Sequence, residues 1–163
     1  PLLRAAAAVS EPGTVRVLSV SSNGHEGCPG LEWDDLQQIR DWKSGKSYCV
    51  AKLCNILFTR ELAKRVAAYG IVANSIHPGV VASNFANHAE PRMKSYMATL
   101  ESFSPEVGAD TLLWLATAPE AGEVTGGYFY KRKALVPSPA ALDDVAAAHL
   151  WAESEALVTR AGV

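Results

Sequence analysis

Long apolar runs, paired cysteines and an excess of positive charge are all scarce in this chain, and each shortage removes a class of function. None of the apolar runs among the 163 residues reaches the ~18 that a helix needs to cross a bilayer. Lys and Arg number 15 against 17 Asp and Glu, for a net charge of −2, and the basic residues are scattered. Without a basic stripe, a nucleic acid is not an expected partner. Cys28, Cys49 and Cys54 form an odd set with no metal-ligand spacing. They read as packed free thiols in a reducing, cytoplasmic setting, with no disulfide framework and no metal. His25, His77, His88 and His149 also lack companions at ligand spacing, so structural or solvent-exposed roles are expected of them.

What is present alternates between strand-like and helix-like stretches, the pattern of parallel strands joined by covering helices. Residues Leu2 to Val9 read as a helix end, and Glu11-Pro-Gly13 as a turn. Val15 to Val20 and Ile71 to Ile76 are short apolar runs suited to buried strands. Between them, Ser47 to Tyr69 carries Leu53, Ile56, Leu57, Leu62 and Val66 on one broad face, and Gly70 stands where a C-terminal cap belongs. A second helix is predicted from Ser104-Pro-Glu-Val107 to about Ala118, with Ser104 as cap and Pro105 at the first helical position. Gly126 to Tyr130 reads as the last strand and Asp143 to Thr159 as a closing amphipathic helix, within one domain.

The chemistry-bearing residues stand where this alternation places strand ends. Tyr48 and Lys52 are four apart in a helical stretch, so phenol and ammonium share one face. A free tyrosine titrates near pH ~10, and a neighbouring cation favours the phenolate, which suits general acid or base work. Ser22 follows the first strand and can donate a hydrogen bond to a substrate oxygen as charge develops. The bland alternative is a surface Tyr–Lys pair. Gly24, Gly27 and Gly30 lack the spacing and the helix start of a pyrophosphate cradle and read as a turn-rich loop.

Order and context bring these residues together. Val15-Arg-Val-Leu-Ser-Val-Ser-Ser22, Tyr48-Cys-Val-Ala-Lys52 and Gly70-Ile-Val-Ala-Asn-Ser-Ile-His-Pro-Gly79 resemble the fifth strand, the following helix and the sixth strand of the short-chain dehydrogenase/reductase family. Twenty-five residues separate Ser22 from Tyr48. That long segment, with the tail from Pro137-Ser-Pro139 to Trp151, resembles retinol-dehydrogenase-like and protochlorophyllide-reductase-like members. The resemblance implies the C-terminal part of a Rossmann-like, doubly wound parallel sheet, with residues 1–163 as one portion of a single dehydrogenase domain. It implies NADP or NAD as cofactor and a small alcohol, aldehyde or ketone, lipophilic in character, as substrate. Tyr48 would then exchange the proton, Lys52 would hold the nicotinamide ribose and favour the phenolate, and Ser22 would polarise the substrate oxygen. Pro78, Gly79, Val81 and Ser83 match the loop that touches the nicotinamide and phosphates, with Ser83 in place of the commoner Thr. A homo-oligomer through the Ser47 to Tyr69 helix is also implied.

The family's Thr-Gly-x-x-x-Gly-x-Gly and Asn-Asn-Ala-Gly motifs do not occur in this sequence. The chain is therefore expected to be the C-terminal part of a longer enzyme, with negligible hydride transfer by the isolated 163 residues. The other reading is a non-catalytic, dehydrogenase-like subunit with an interaction or scaffold role. Trp33, Trp42, Phe85, Met93, Tyr96 and Met97 either cover a lipophilic substrate or pack against the sheet.

Overall fold

Burial on both faces explains why the second apolar run, Ile71 to Ile76, carries no charged residue. In the computed structural model, which describes residues 1–88 and 90–162 and all of their side chains except those of Ala86, His88 and Arg92, this run is a strand with every residue buried. The expectation for the His88 side chain thus lies outside the described residues. The chain begins with helix α1 (Leu2–Ala7) and strand β1 (Arg16–Val20), then passes through two 3-10 turns into helix α2 (Ser44–Val66). Strand β2 (Val72–Ile76) follows, then helices α3 (Pro91–Ala98) and α4 (Pro105–Thr117), strands β3 (Tyr128–Tyr130) and β4 (Lys133–Leu135), and helix α5 (Asp144–Arg160).

The sheet runs β1-β2-β3-β4. Arg16 to Val20 pair in parallel with Val72 to Ile76, Ser75 and Ile76 pair in parallel with Tyr128 and Phe129, and β4 closes the far edge antiparallel. Consecutive β3 residues point to opposite faces, and they enter different cores. Tyr128 packs with Leu53, Ile56, Leu57, Ala147 and Leu150 of α2 and α5. Phe129 packs with Ile76, Leu115 and Ala121 on the α4 side. Helices thus cover both faces, as expected of a doubly wound sheet. β1 corrects one expectation: it is half-buried, with Val20 42 % exposed, because in this chain it forms an edge of the sheet.

Local chemistry sets the helix limits. Ser104 Oγ accepts from the Val107 amide at 3.4 Å, and Asp143 Oδ1 accepts from Val145 and Ala146 at 2.9 Å. Asp143 is therefore the cap of α5 and lies outside the helix. α2 begins three residues earlier than its pattern predicts, so Ser47, the expected first residue, sits one turn inside. Gly70 ends the α2 segment in the left-handed conformation (φ +67°), and an added Cβ there would lie 3.1 Å from Pro12 Cα. The β3–β4 hairpin was not visible in the sequence. Its turn uses Lys131 and Arg132 at positive φ (+48° and +58°), positions where Gly or Asn is the usual signal. Arg132 is held there by its amide donating to Thr111 Oγ1 at 3.1 Å and by its guanidinium forking onto Asp110.

Two measurements check this packing. Leu53 is fully buried, and Leu53→Ala is expected to lower unfolding stability by about 2–5 kcal/mol in urea titration. Cys54 is unpaired and burial pushes its thiol up to about 11. Its alkylation at pH ~8, followed by intact mass, is expected to run about two orders of magnitude slower than that of a free thiol, because the thiolate is the nucleophile.

Candidate active site

The carboxyl end of β1 is tied to α2 by hydrogen bonds from both sides. Ser21 donates its amide to Ile76 O at 2.7 Å and its hydroxyl to Lys52 O at 2.7 Å. The Val20 carbonyl accepts from Lys52 Nζ at 3.2 Å and from Asn55 Nδ2 at 3.0 Å. These bonds fix the third and fourth turns of α2 against the strand end, beside Ser22.

Ser22 is buried in an extended conformation. Its Oγ accepts from the Gly24 amide at 3.0 Å, and its hydroxyl donates to Asn23 Oδ1 at 3.2 Å. Gly24 is the spacer that lets the tyrosine approach: a Cβ there would lie 2.7 Å from Tyr48 Cε1 and 3.4 Å from Ser22 Oγ. Lys52 Nζ stands 5.5 Å from the centroid of the Tyr48 ring. Burial pulls the Lys52 ammonium below the ordinary lysine range. Phe85 lies against Tyr48, with ring centroids 5.6 Å apart.

The loop after β2 begins at His77, whose amide donates to Phe129 O at 2.9 Å, and turns at Gly79 with φ +81°. Val81 pairs with Phe103, and its side chain packs against Gly108, where a Cβ would lie 2.5 Å from Val81 Cγ2. Pro78 also faces the α4 side, lining a cleft of about 400 Å³ with Phe103, Val107, Tyr130 and Lys131. Ser83 Oγ accepts from the Phe85 amide at 3.4 Å, on the stretch that brings Phe85 to Tyr48. The structure therefore brings Tyr48 to within one glycine of Ser22 and sets Lys52 beside the Tyr48 ring. Pro78, Gly79 and Val81 instead make their contacts with Phe103, Tyr130 and α4.

No family model matches the chain. Retinol dehydrogenase 13 of Homo sapiens is 35 % identical over 151 residues, which covers 88 % of this chain and 45 % of that protein. Retinol dehydrogenase 12 of Homo sapiens is 38 % identical over 149 residues, again covering 88 % and 45 %. The crystal structure of an uncharacterised protein from Mycobacterium paratuberculosis aligns with a TM-score of 0.64 at 29 % identity, covering 88 % of this chain and 50 % of that one. The chain belongs to the short-chain dehydrogenase/reductase family. It spans less than half the length of the two retinol dehydrogenases it matches.

Within this dehydrogenase/reductase fold the aromatic residues of the expected cover separate. Phe85 reaches Tyr48, whereas Trp33 stacks on His149 of α5 with centroids 3.9 Å apart. Trp42 is 63 % exposed, and Tyr96 and Met93 on α3 are also exposed. His77 is half-buried with its ring 5.0 Å from Tyr130, and burial pulls its imidazolium below the ordinary range. Among the described residues there is no group of three or more His, Cys, Asp or Glu that could hold a metal. No helix among them is long and apolar enough to cross a membrane.

Sequence reasoning missed Gly24 and Asn55 as neighbours of these residues. Asn55 lies three residues after Lys52 and so shares its helix face, a signal available in the sequence. Gly24 is testable through its spacer role. Gly24→Ala is expected to displace the Tyr48 ring, shifting its aromatic NMR signals, and to cost about 1–3 kcal/mol of stability by overpacking. Unchanged Tyr48 signals would show that the ring has slack.

Proposed function

We propose that this chain supplies the proton-transfer side of an NAD(P)-dependent oxidoreductase that interconverts a lipophilic alcohol and its carbonyl. The observation that carries the reading is the juxtaposition at the β1 end, where only Gly24 separates Ser22 Oγ from the Tyr48 ring and Lys52 Nζ stands 5.5 Å from that ring's centroid. The names of the matched relatives support the same reaction class, and the Phe85 ring beside Tyr48 offers an apolar surface to a lipophilic substrate. Residues 1–163 then form the C-terminal portion of one dehydrogenase domain.

Each group has a distinct task. The Tyr48 hydroxyl gives a proton to the oxygen during carbonyl reduction and takes it back in alcohol oxidation. Ser22 Oγ, its lone pair engaged by the Gly24 amide, turns its own proton from Asn23 to the substrate oxygen and stabilises the charge growing there. Lys52 brings a positive charge beside the Tyr48 ring in a half-buried setting, where it is less screened than at the surface.

The residues fit NADP or NAD. An ammonium has three N–H groups, and Lys52 directs one to Val20 O, leaving donors suited to ribose hydroxyls. Pro78, Gly79, Val81 and Ser83 would border the nicotinamide and phosphates on the other side. When bound, the nicotinamide supplies or accepts the hydride.

The test is turnover by the protein that carries this chain, with NADPH or NADH and a long-chain aldehyde. Tyr48→Phe is expected to lower kcat by about 10²–10⁴-fold while cofactor affinity stays nearly constant, because only the transferable proton is lost. Lys52→Ala is expected to weaken both. Near-normal turnover in Tyr48→Phe would remove the assignment.

A further inference from the structure

Three residues after Ser22, an imidazole with no solvent exposure joins the serine loop to the tail of the chain. His25 packs edge-on to Tyr128 with ring centroids 5.2 Å apart. Its Nδ1 lies 2.7 Å from the Ser22 carbonyl oxygen, and its Nε2 accepts from the Ser138 amide at 3.0 Å. The two neighbours dictate the tautomer between them. An amide N–H can only donate, so Nε2 is the bare nitrogen; a carbonyl can only accept, so Nδ1 carries the proton and donates to Ser22.

The Ser22 carbonyl also accepts from the His25 amide at 3.2 Å, while Ser22 Oγ accepts from Gly24. Both oxygens of the serine are thus held, one by the turn and the other chiefly by the ring. The far end of the ring is anchored on a stiff element. Ser138 sits between Pro137 and Pro139, at φ −58° and ψ 155°, the extended backbone that a following proline favours.

We infer that His25 is a positioning residue for Ser22: its imidazole transmits the fixed Ser138 amide to the Ser22 peptide and so aims Ser22 Oγ. The inference rests on the oxidoreductase reading for its effect on turnover, and on the hydrogen-bond geometry for its existence. An Asn side chain places an amide N–H near the Nδ1 position, and a Gln side chain places its amide near Nε2. The two substitutions therefore keep opposite ends of the bridge.

The experiment compares His25→Ala, His25→Asn and His25→Gln in the protein that carries this chain, using turnover of a long-chain aldehyde with NADPH or NADH. Ser22→Ala serves as reference, and ¹⁵N and ¹³C NMR reads the His25 tautomer and the Ser22 carbonyl. A misplaced reacting group costs on the order of 10²-fold. His25→Ala and His25→Gln are thus expected to lower kcat by about 10-fold or more with little change in cofactor KM, and His25→Asn to recover most of that loss. The Ser22 carbonyl signal is expected to move in Ala and Gln and to stay near its wild-type place in Asn. Equal losses in all three variants, or a ring protonated on Nε2, would overturn the inference. So would wild-type turnover in His25→Gln when Ser22→Ala is impaired, and the oxidoreductase reading would survive that result. A wild-type protein that turns over no carbonyl sinks that reading instead, and the tautomer and carbonyl signals then decide the bridge on their own.

Discussion

The Val20 carbonyl, at the last residue of β1, is the acceptor on which the site depends. β1 bonds to β2 through Val15 and Ser21, so the Val20 carbonyl points to the unpaired edge of the sheet and needs a donor from elsewhere. Here α2 supplies two, Lys52 Nζ and Asn55 Nδ2, while Ser21 returns a hydroxyl to Lys52 O. Helix and strand are thereby locked at one register, and Tyr48, one turn before Lys52, falls beside the Gly24 turn that follows Ser22. The same bond offsets part of the desolvation of the Lys52 ammonium, whose burial disfavours charge. One acceptor therefore both places the cation and makes its half-buried position tolerable.

That arrangement explains the glycine and the aromatic ring around Tyr48. With the helix fixed by its cation and amide, the phenol can approach Ser22 only if the turn between them carries no side chain, and Gly24 satisfies that requirement. The ring also meets Phe85, from the segment after β2. Strand end, helix face and loop each contribute one wall, in keeping with sites that gather beyond the carboxyl ends of parallel strands.

Much of this was legible because it is local in sequence. The Tyr48–Lys52 spacing, the Ser104-Pro105 start of α4, Gly70 after α2 and the buried run of β2 each carry their cause within a few residues. What stayed hidden depends on distant partners or unusual backbone. His25 reads as a bland histidine because its acceptor role is set by Ser138, 113 residues away. The turn at Lys131 and Arg132 adopts positive φ without Gly or Asn, since Thr111 and Asp110 hold it from α4. The helical pattern starts at Ser47, yet the Ser47 amide bonds to Lys43 O at 2.9 Å, inside a helix that has already begun. Trp33, offered to a substrate cover by composition, is taken by His149 on α5.

The position of the Ser138 amide traces back to how α5 is seated. Arg60 and Lys64 reach Asp144 at 2.8 and 2.9 Å, but these ion pairs are exposed to water and contribute little. Buried apolar contact carries the load: Leu150 and Ala147 are buried against Leu53 and Leu57, and a fully buried leucine contributes about 1.5–3 kcal/mol. Ala141, in the turn just after Ser138, belongs to the same cluster with no exposure. The tail is therefore held by the core that also holds α2, so the two ends of the His25 bridge share one packing unit. Loosening α5 removes the anchor of the Ser22 carbonyl while leaving the Tyr48–Lys52 face of α2 in place, which separates the aim of the serine from the proton transfer at the tyrosine.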